Sequence, residues 1–298
     1  MARTACPIHW SVAMTATGTG TSPSTGAWAL RDRVRVRDGE VATDVVGEGP
    51  PVVLVHGTPS WSYLWRDVVP VLARTNTVHL WDLLGYGDSR LDPGAVPSVA
   101  GHARTLAELV DHWGIDAPSL VGHDIGGATV LRAHLVHEVP ARSLALLDTA
   151  VLSPWVTPVA QHMQEHQDAY RTMPGHIFDR IIAAHLHTTT HRPLSETAAA
   201  AYLDRYAGPE GQQRYLDQVA HFTEVDTRDV VARLGEVTAP TRVIWGEHDE
   251  WLEPAAGKRL CELVPGAELV TIADAGHFLT EDDPAATAEA LRALLARS

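Results

Sequence analysis

A carboxylate is ionised at neutral pH, so it can attack an electrophilic carbon without a base to remove its proton. The segment Val121-Gly122-His123-Asp124-Ile125-Gly126-Gly127 holds one in a position to do so. It follows an apolar run that reads as a buried strand and precedes a stretch with helical periodicity. Glycines two before and two after Asp124 let strand turn into helix so abruptly that the side chain between them projects from the top of the sheet. Serine is the usual occupant of such an elbow. Attack by Asp124 on an sp3 carbon bearing a leaving group would give an alkyl ester of the protein, which water must then cleave. Ala275-Gly276-His277-Phe278 places a histidine just after the last apolar run, and His277 is expected to deprotonate that water.

These side chains need a scaffold, and the hydrophobic pattern supplies one. Val34 and Val36 alternate with polar residues, as do the apolar residues of 41–46, which predicts half-buried strands. Residues 51–55 form a continuous apolar run closed by His56-Gly57, the pattern of a strand buried on both faces. Similar runs return at 78–81, 119–122, 143–147, 241–245 and 269–272. Helical periodicity fills 61–72, 99–113, 126–137, 255–263 and 285–296. Strand and helix alternating in this way predicts an α/β fold, a mostly parallel sheet flanked by helices.

The alternation breaks over about 151–235, where Pro154, Pro158, Pro174 and Pro193 punctuate helical stretches at 159–170 and 195–206. This predicts a helical cap inserted after the sixth strand, over the carboxyl ends of the strands where open α/β sheets bind ligands. The expected organisation is a flexible tail over 1–30, a core domain over 31–150 and 236–298, and the cap over 151–235. No internal repeat is present.

Composition narrows the function. Of 298 residues, 45% are apolar and 20% charged, enough for a large core and too apolar for a disordered chain. Acidic side chains number 37 against 23 basic ones, a net charge of −14, which makes nucleic acid and anionic membranes poor partners. Two cysteines, Cys6 and Cys261, are too few for a disulfide framework or a thiolate metal site. No apolar stretch reaches the ~20 residues of a membrane span. Pro7 and His9 interrupt what would be a signal-peptide core, so a cytoplasmic protein is expected. His185, His187 and His191 lie within seven residues but lack a carboxylate or cysteine at matching spacing, and are expected to form a polar loop without metal.

Together the elbow, Ala275-Gly276-His277-Phe278 and His56-Gly57-Thr58-Pro59 resemble the α/β-hydrolase fold superfamily, in the aspartate-nucleophile branch that holds haloalkane dehalogenases, fluoroacetate dehalogenases and epoxide hydrolases. The resemblance runs from about Arg33 to the C-terminus and is weakest in the insertion. It implies a cofactor-free hydrolase with Asp124 as nucleophile, His277 as base and a second carboxylate that holds the imidazole. Asp249, in a Gly-x-x-Asp-x-x-x-x-Pro context, is similar to the acid of most members. Asp148, after the sixth strand, is the alternative, with a capping role at the entrance to the insertion as its plainer reading. The resemblance further implies that the N–H groups of Thr58 and Ile125 form an oxyanion hole. His123 resembles the packing residue beneath the elbow rather than a second base, and with Trp155 it is counted among residues bordering the substrate. Asp82-Leu83-Leu84-Gly85-Tyr86-Gly87-Asp88-Ser89 is a further family signature, expected to shape a turn.

The branch divides by leaving group. Haloalkane dehalogenases hold the halide with a tryptophan just after the nucleophile, often helped by an asparagine after His-Gly; here those places hold Ile125 and Thr58. Fluoroacetate dehalogenases place arginines just past the nucleophile, where this chain has Ile125 and Ala128. Trp155 is the candidate donor to a leaving group from above. Epoxide hydrolases instead protonate the departing oxygen with tyrosines of the cap. Of Tyr170, Tyr202, Tyr206 and Tyr215, the last lies in the segment most similar to theirs. The expected substrate is therefore a small hydrophobic epoxide, with an organohalide next and an ester or lactone third; a non-catalytic binder on the same scaffold is the alternative of another class.

Overall fold

A computed structural model describes residues 28–297. Nine strands form one sheet: β1 (Asp32–Val36), β2 (Gly39–Val46), β3 (Pro51–Val55), β4 (Thr77–Trp81), β5 (Arg90–Leu91), β6 (Ser119–His123), β7 (Ser143–Leu147), β8 (Thr241–Gly246) and β9 (Glu268–Ile272). Their order is β1-β2-β4-β3-β6-β7-β8-β9, with β5 beside β2. β2 runs antiparallel to β1, β4 and β5, while β3 pairs in parallel with β4 and β6, and the parallel ladder continues through β7 and β8 to β9. The α/β class read from the sequence is the observed one.

The core follows from the two-residue period of a strand. Val53 and Val55 join Leu144, Leu146 and Trp245 in one apolar cluster, while their neighbours Val52 and Leu54 join Ala145, Leu147 and Ile244 in the other. Each central strand thus feeds both faces, which is why it reads as unbroken apolar sequence. Burying each such Leu, Ile or Val contributes about 1.5–3 kcal/mol, and truncating Leu146 to alanine would cost about 2–5 kcal/mol.

Several expectations need correction. The run at 269–272 is not buried on both faces: β9 pairs only with β8 and stands at the sheet edge, so its residues are largely half-exposed or exposed. The two-residue β5 is too short to leave a periodic trace, and it makes the strand before the insertion seventh in chain order rather than sixth. The stretch 61–72 is a 3-10 turn, Ser62–Trp65, followed by the short helix Val69–Leu72. Residues 66–68 separate them, and Pro70 in the first turn of the second cannot donate to the carbonyl of Arg66 to join it to the first. The stretch 159–170 breaks at His166 into Pro158–Glu165 and Gln167–Arg171. Residues 28–30 are anchored rather than loose: Leu30 is buried and the Trp28 indole donates to Ser62 Oγ at 3.1 Å. The rest of the expected tail, with Cys6, lies outside the described residues.

Between β7 and β8 the chain runs through six helices, Pro158–Glu165, Gln167–Arg171, Gly175–Leu186, Glu196–Leu203, Gly208–Ala220 and Val225–Arg233. Thr157 and Ser195 cap the first and fourth by accepting from the N–H of Ala160 and Ala198. This segment lies on the loops that leave the carboxyl ends of the strands. Gln218 donates to the Gly85 carbonyl at 2.8 Å, the Trp61 indole to Ala201 at 3.2 Å, and the Phe278 N–H to Thr189 at 2.7 Å. Among the described residues no helix is long and apolar enough to cross a membrane.

Candidate active site

The elbow is built by close approach. A Cβ on Gly122 would lie 2.3 Å from the Gly126 carbonyl oxygen, and one on Gly126 would lie 2.4 Å from that of Val55. Glycine alone fits at both, so the helix Ile125–Val136 starts hard against the end of β6. Asp124 between them has φ 55° and ψ −125°, a conformation that costs of order 1–3 kcal/mol and must be held by its surroundings. They hold it: its carbonyl accepts from the N–H of Gly127 at 3.0 Å and of Ala150 at 3.1 Å.

The residue is 7% exposed, and Oδ1 accepts from the Thr58 N–H at 2.7 Å. The Thr58 loop is itself anchored, since His56 Nδ1 contacts the Gly57 carbonyl at 3.0 Å and its Nε2 accepts from the Leu83 N–H at 2.9 Å. Burial lowers the His56 pKa to about 4, so the ring is neutral and keeps this acceptor. Asp82 braces the neighbouring loop by accepting from the N–H groups of Ser62 and Asp88, both at 2.8 Å. Ile125 opens its helix, and the first N–H groups of a helix have no partner within it. The Thr58 N–H thus meets Asp124 Oδ1 directly, and the Ile125 N–H stands at the start of the adjoining helix.

His277 Nδ1 lies 2.9 Å from Asp249 Oδ2, and both side chains are fully buried. Its Nε2 lies 3.5 Å from Asp124 Oδ2. That contact lacks hydrogen-bond alignment, so it is an attraction of charges rather than a formed hydrogen bond. Burial disfavours the imidazolium, but the charges of Asp249 and Asp124 outweigh it and raise the His277 pKa well above its usual value. Burial also opposes ionisation of Asp124, and there His277 and the Thr58 N–H prevail, holding the carboxyl below its ordinary value. Carboxylate and imidazolium sustain each other.

Asp148 is fully buried beside this pair. Its Oδ1 accepts from the Gly246 N–H at 2.8 Å, and its Oδ2 meets no donor. Burial, then the charge of Asp249, pushes its carboxyl well above the usual range. The surroundings of Asp148 therefore favour the protonated form over the ionised one. It is not the residue against the imidazole.

Above Asp124 lies a cavity of about 30 Å3 lined by Thr58, Ile125, Trp155, His185, Tyr215 and Trp251 among others. Its volume matches one or two waters. Tyr215 is almost wholly buried, makes no hydrogen bond through its hydroxyl among the described residues, and is kept protonated by burial. Tyr202 is committed elsewhere, to Glu281 at 2.5 Å. Trp155 borders the cavity, but its indole N–H is given to Thr227 Oγ1 at 3.0 Å, so the expected donor to a leaving group is already engaged. His123 is fully buried beneath the elbow with Nε2 at 2.8 Å from the His277 carbonyl; it steadies the His277 backbone and does not line the cavity.

Sequence reasoning missed two residues. Trp251 stacks on the His277 ring with centroids 5.1 Å apart, and His185 stacks on Trp251 at 4.2 Å. His185 is thus no loop residue: it lies in the helix Gly175–Leu186 and reaches the cavity. Burial lowers its pKa to about 4, leaving a neutral ring at the site. The place of Trp251 two residues after Asp249 was the available signal for the first; nothing local marked the second.

A family model described as alpha/beta hydrolase fold matches residues 50–284. A Mycobacterium tuberculosis protein named haloalkane dehalogenase 2 is 31% identical over 260 residues, covering 82% of this chain and 87% of that protein. A Burkholderia fluoroacetate dehalogenase is 39% identical over 122 residues, 40% of each chain. Among solved structures, an alpha/beta hydrolase fold protein from Burkholderia ambifaria superposes with a TM-score of 0.85 at 34% identity, covering 88% of this chain and 97% of that one.

Proposed function

The chain belongs to the α/β-hydrolase fold family, and from that premise we propose that it hydrolyses small apolar epoxides through an alkyl ester on Asp124. The observation that carries this reading is a single cavity lined by both Asp124 and Tyr215, whose hydroxyl makes no hydrogen bond among the described residues. Asp124 attacks one ring carbon; the C–O bond breaks, and Tyr215 gives its proton to the departing oxygen. Water then attacks the ester carbonyl as His277 takes its proton, and the oxyanion is held by the N–H groups of Thr58 and Ile125. Collapse frees the Asp124 carboxylate and a diol. One proton of the water ends on the product and the other restores Tyr215.

Ester formation also readies the base. His277 rests between two carboxylates that favour its charged form; esterifying Asp124 removes one negative charge, so the imidazole releases its proton and can accept one from water. Residues 151–235 act as a cap. The cavity is small, so a substrate of more than a few atoms enters only as this segment shifts.

Dehalogenation is the second reading, favoured by the relative named haloalkane dehalogenase 2 and by His185 and Tyr215 as donors to a halide in the same cavity. Replacing His277 with glutamine should trap an adduct on Asp124, seen as a mass increase in the intact protein with an epoxide or an organohalide. Single turnover in heavy-oxygen water should place label in Asp124. An unchanged mass with every hydrolysed substrate would overturn the covalent route.

A further inference from the structure

Three exposed side chains from three distant segments converge: His191, His248 and Asp274. One ligand atom from each can be chosen so that all lie within 4.8 Å of one another. The imidazoles of His191 and His248 stack with centroids 4.0 Å apart and planes 15° from parallel, so both side chains occupy the same volume, and one exposed ring must turn out of the stack for both to aim a nitrogen at a single ion. We propose that these residues bind a borderline divalent transition metal of the Zn2+ class as a two-histidine, one-carboxylate site.

The chemistry of the donor set selects the ion. Two imidazoles and one carboxylate suit Zn2+, Co2+ or Ni2+, whereas Mg2+ and Ca2+ prefer oxygen alone. Three protein ligands leave a fourth position for water. In a tetrahedral site with bonds of 2.0–2.2 Å, ligand atoms stand roughly 3.4 Å apart. The three side chains must therefore draw in by about an ångström, which exposed rotamers can supply. The competing partner of Asp274 is weak: Arg192 approaches it at 3.6 Å, with both side chains more than 60% exposed.

The backbone that carries the ligands is already tied together. The His248 N–H donates to the Ala275 carbonyl at 2.8 Å. Asp282 Oδ2 accepts from the N–H of His191 and of Gly276, each at 2.8 Å, and a Cβ on Gly276 would lie 2.9 Å from the His191 nitrogen. Only the side chains, not the loops, need to move. These loops are also the ones that matter: His248 adjoins Asp249, Asp274 lies three residues before His277, and His191 belongs to the segment between β7 and β8. Metal at this point clasps that segment to the loops of acid and base without touching either residue.

The test is calorimetric titration of the metal-free full chain with Zn2+ alone, repeated on His191→Ala, His248→Ala and Asp274→Asn. One ion per chain is expected. Even outer-sphere partners of a metal are worth about 10–100-fold in affinity, so loss of either imidazole should weaken binding at least about tenfold. All three positions are exposed, and an unchanged metal-free melting curve would verify that each variant folds. Zn2+ should also slow amide exchange jointly in 189–192, 247–249 and 274–277. No binding by the unaltered chain, a site that persists in both histidine variants, or exchange protection confined to other segments would each overturn the assignment.

Discussion

Asp249 divides its carboxylate between two tasks: Oδ2 lies 2.9 Å from His277 Nδ1, while Oδ1 accepts from the N–H groups of Trp251 at 2.8 Å and Leu252 at 3.0 Å. The second set of bonds fixes the direction of the first. It also seats Trp251, whose indole covers one face of the imidazole. Asp249→Asn keeps the shape but presents an uncharged oxygen or a competing N–H to His277. Rates of adduct hydrolysis should fall by roughly 10^3–10^4, as when the orienting acid of a catalytic triad is neutralised. Single-turnover measurement separates this from adduct formation, which should change far less; equal losses in both steps would count against an orienting role.

Asp148 is buried near that carboxylate, whose charge adds to burial in pushing its carboxyl upward, and its stability signature follows from the direction of that shift. A carboxyl whose folded pKa is raised above the unfolded value near 4 contributes its full stability below that value and loses it as pH rises toward the folded one. Asp148→Asn imitates the neutral acid and cannot ionise. The variant should therefore gain on the parent as pH is raised from about 4, read as a difference in Tm between the two proteins. A difference constant with pH would mean that Asp148 does not carry the proton.

Much of this arrangement is legible in the sequence because it rests on local or periodic constraints. The elbow needs Gly122 and Gly126 at fixed offsets from Asp124, and β3, β6, β7 and β8 need apolar residues on both faces. What stayed hidden depends on which segments meet. The indole of Trp155 is an available donor until Val225–Arg233 brings Thr227 to it. His185 reads as part of a polar cluster until its helix sets it on Trp251. The exposure of β9 follows only from its place at the end of the strand order. Periodicity reports that a face is buried; it does not report its neighbour.

The pH dependence of the two chemical steps should diverge. Asp124 is held below the ordinary carboxylate value, so attack on the substrate continues in mild acid. Ester cleavage instead needs neutral His277, and falling pH protonates it. As pH is lowered from 8 toward 5 the adduct on Asp124 should accumulate during turnover, measured as its fraction in the intact-mass spectrum. An adduct fraction that is flat or declines in acid would contradict His277 as the base.

Tyr215 separates the two substrate classes. In the proposed reaction its hydroxyl is the proton source for an epoxide oxygen, whose departure as a bare alkoxide into an apolar cavity would be costly. A halide leaves as a stable anion and needs only solvation, which the neutral His185 ring can share. Tyr215→Phe keeps the ring that packs edge-on against Phe178 and Tyr206, so folding should be unaffected. Epoxide opening should fall by about 10^2–10^4, the range of a lost general acid, while any halide release changes by less than about tenfold. The comparison is of first-turnover adduct formation with matched epoxide and halide substrates of the same carbon skeleton. No loss for either would reduce Tyr215 to a wall of the cavity, equal losses would make it a donor to both leaving groups, and a loss confined to halide release would make dehalogenation the primary activity.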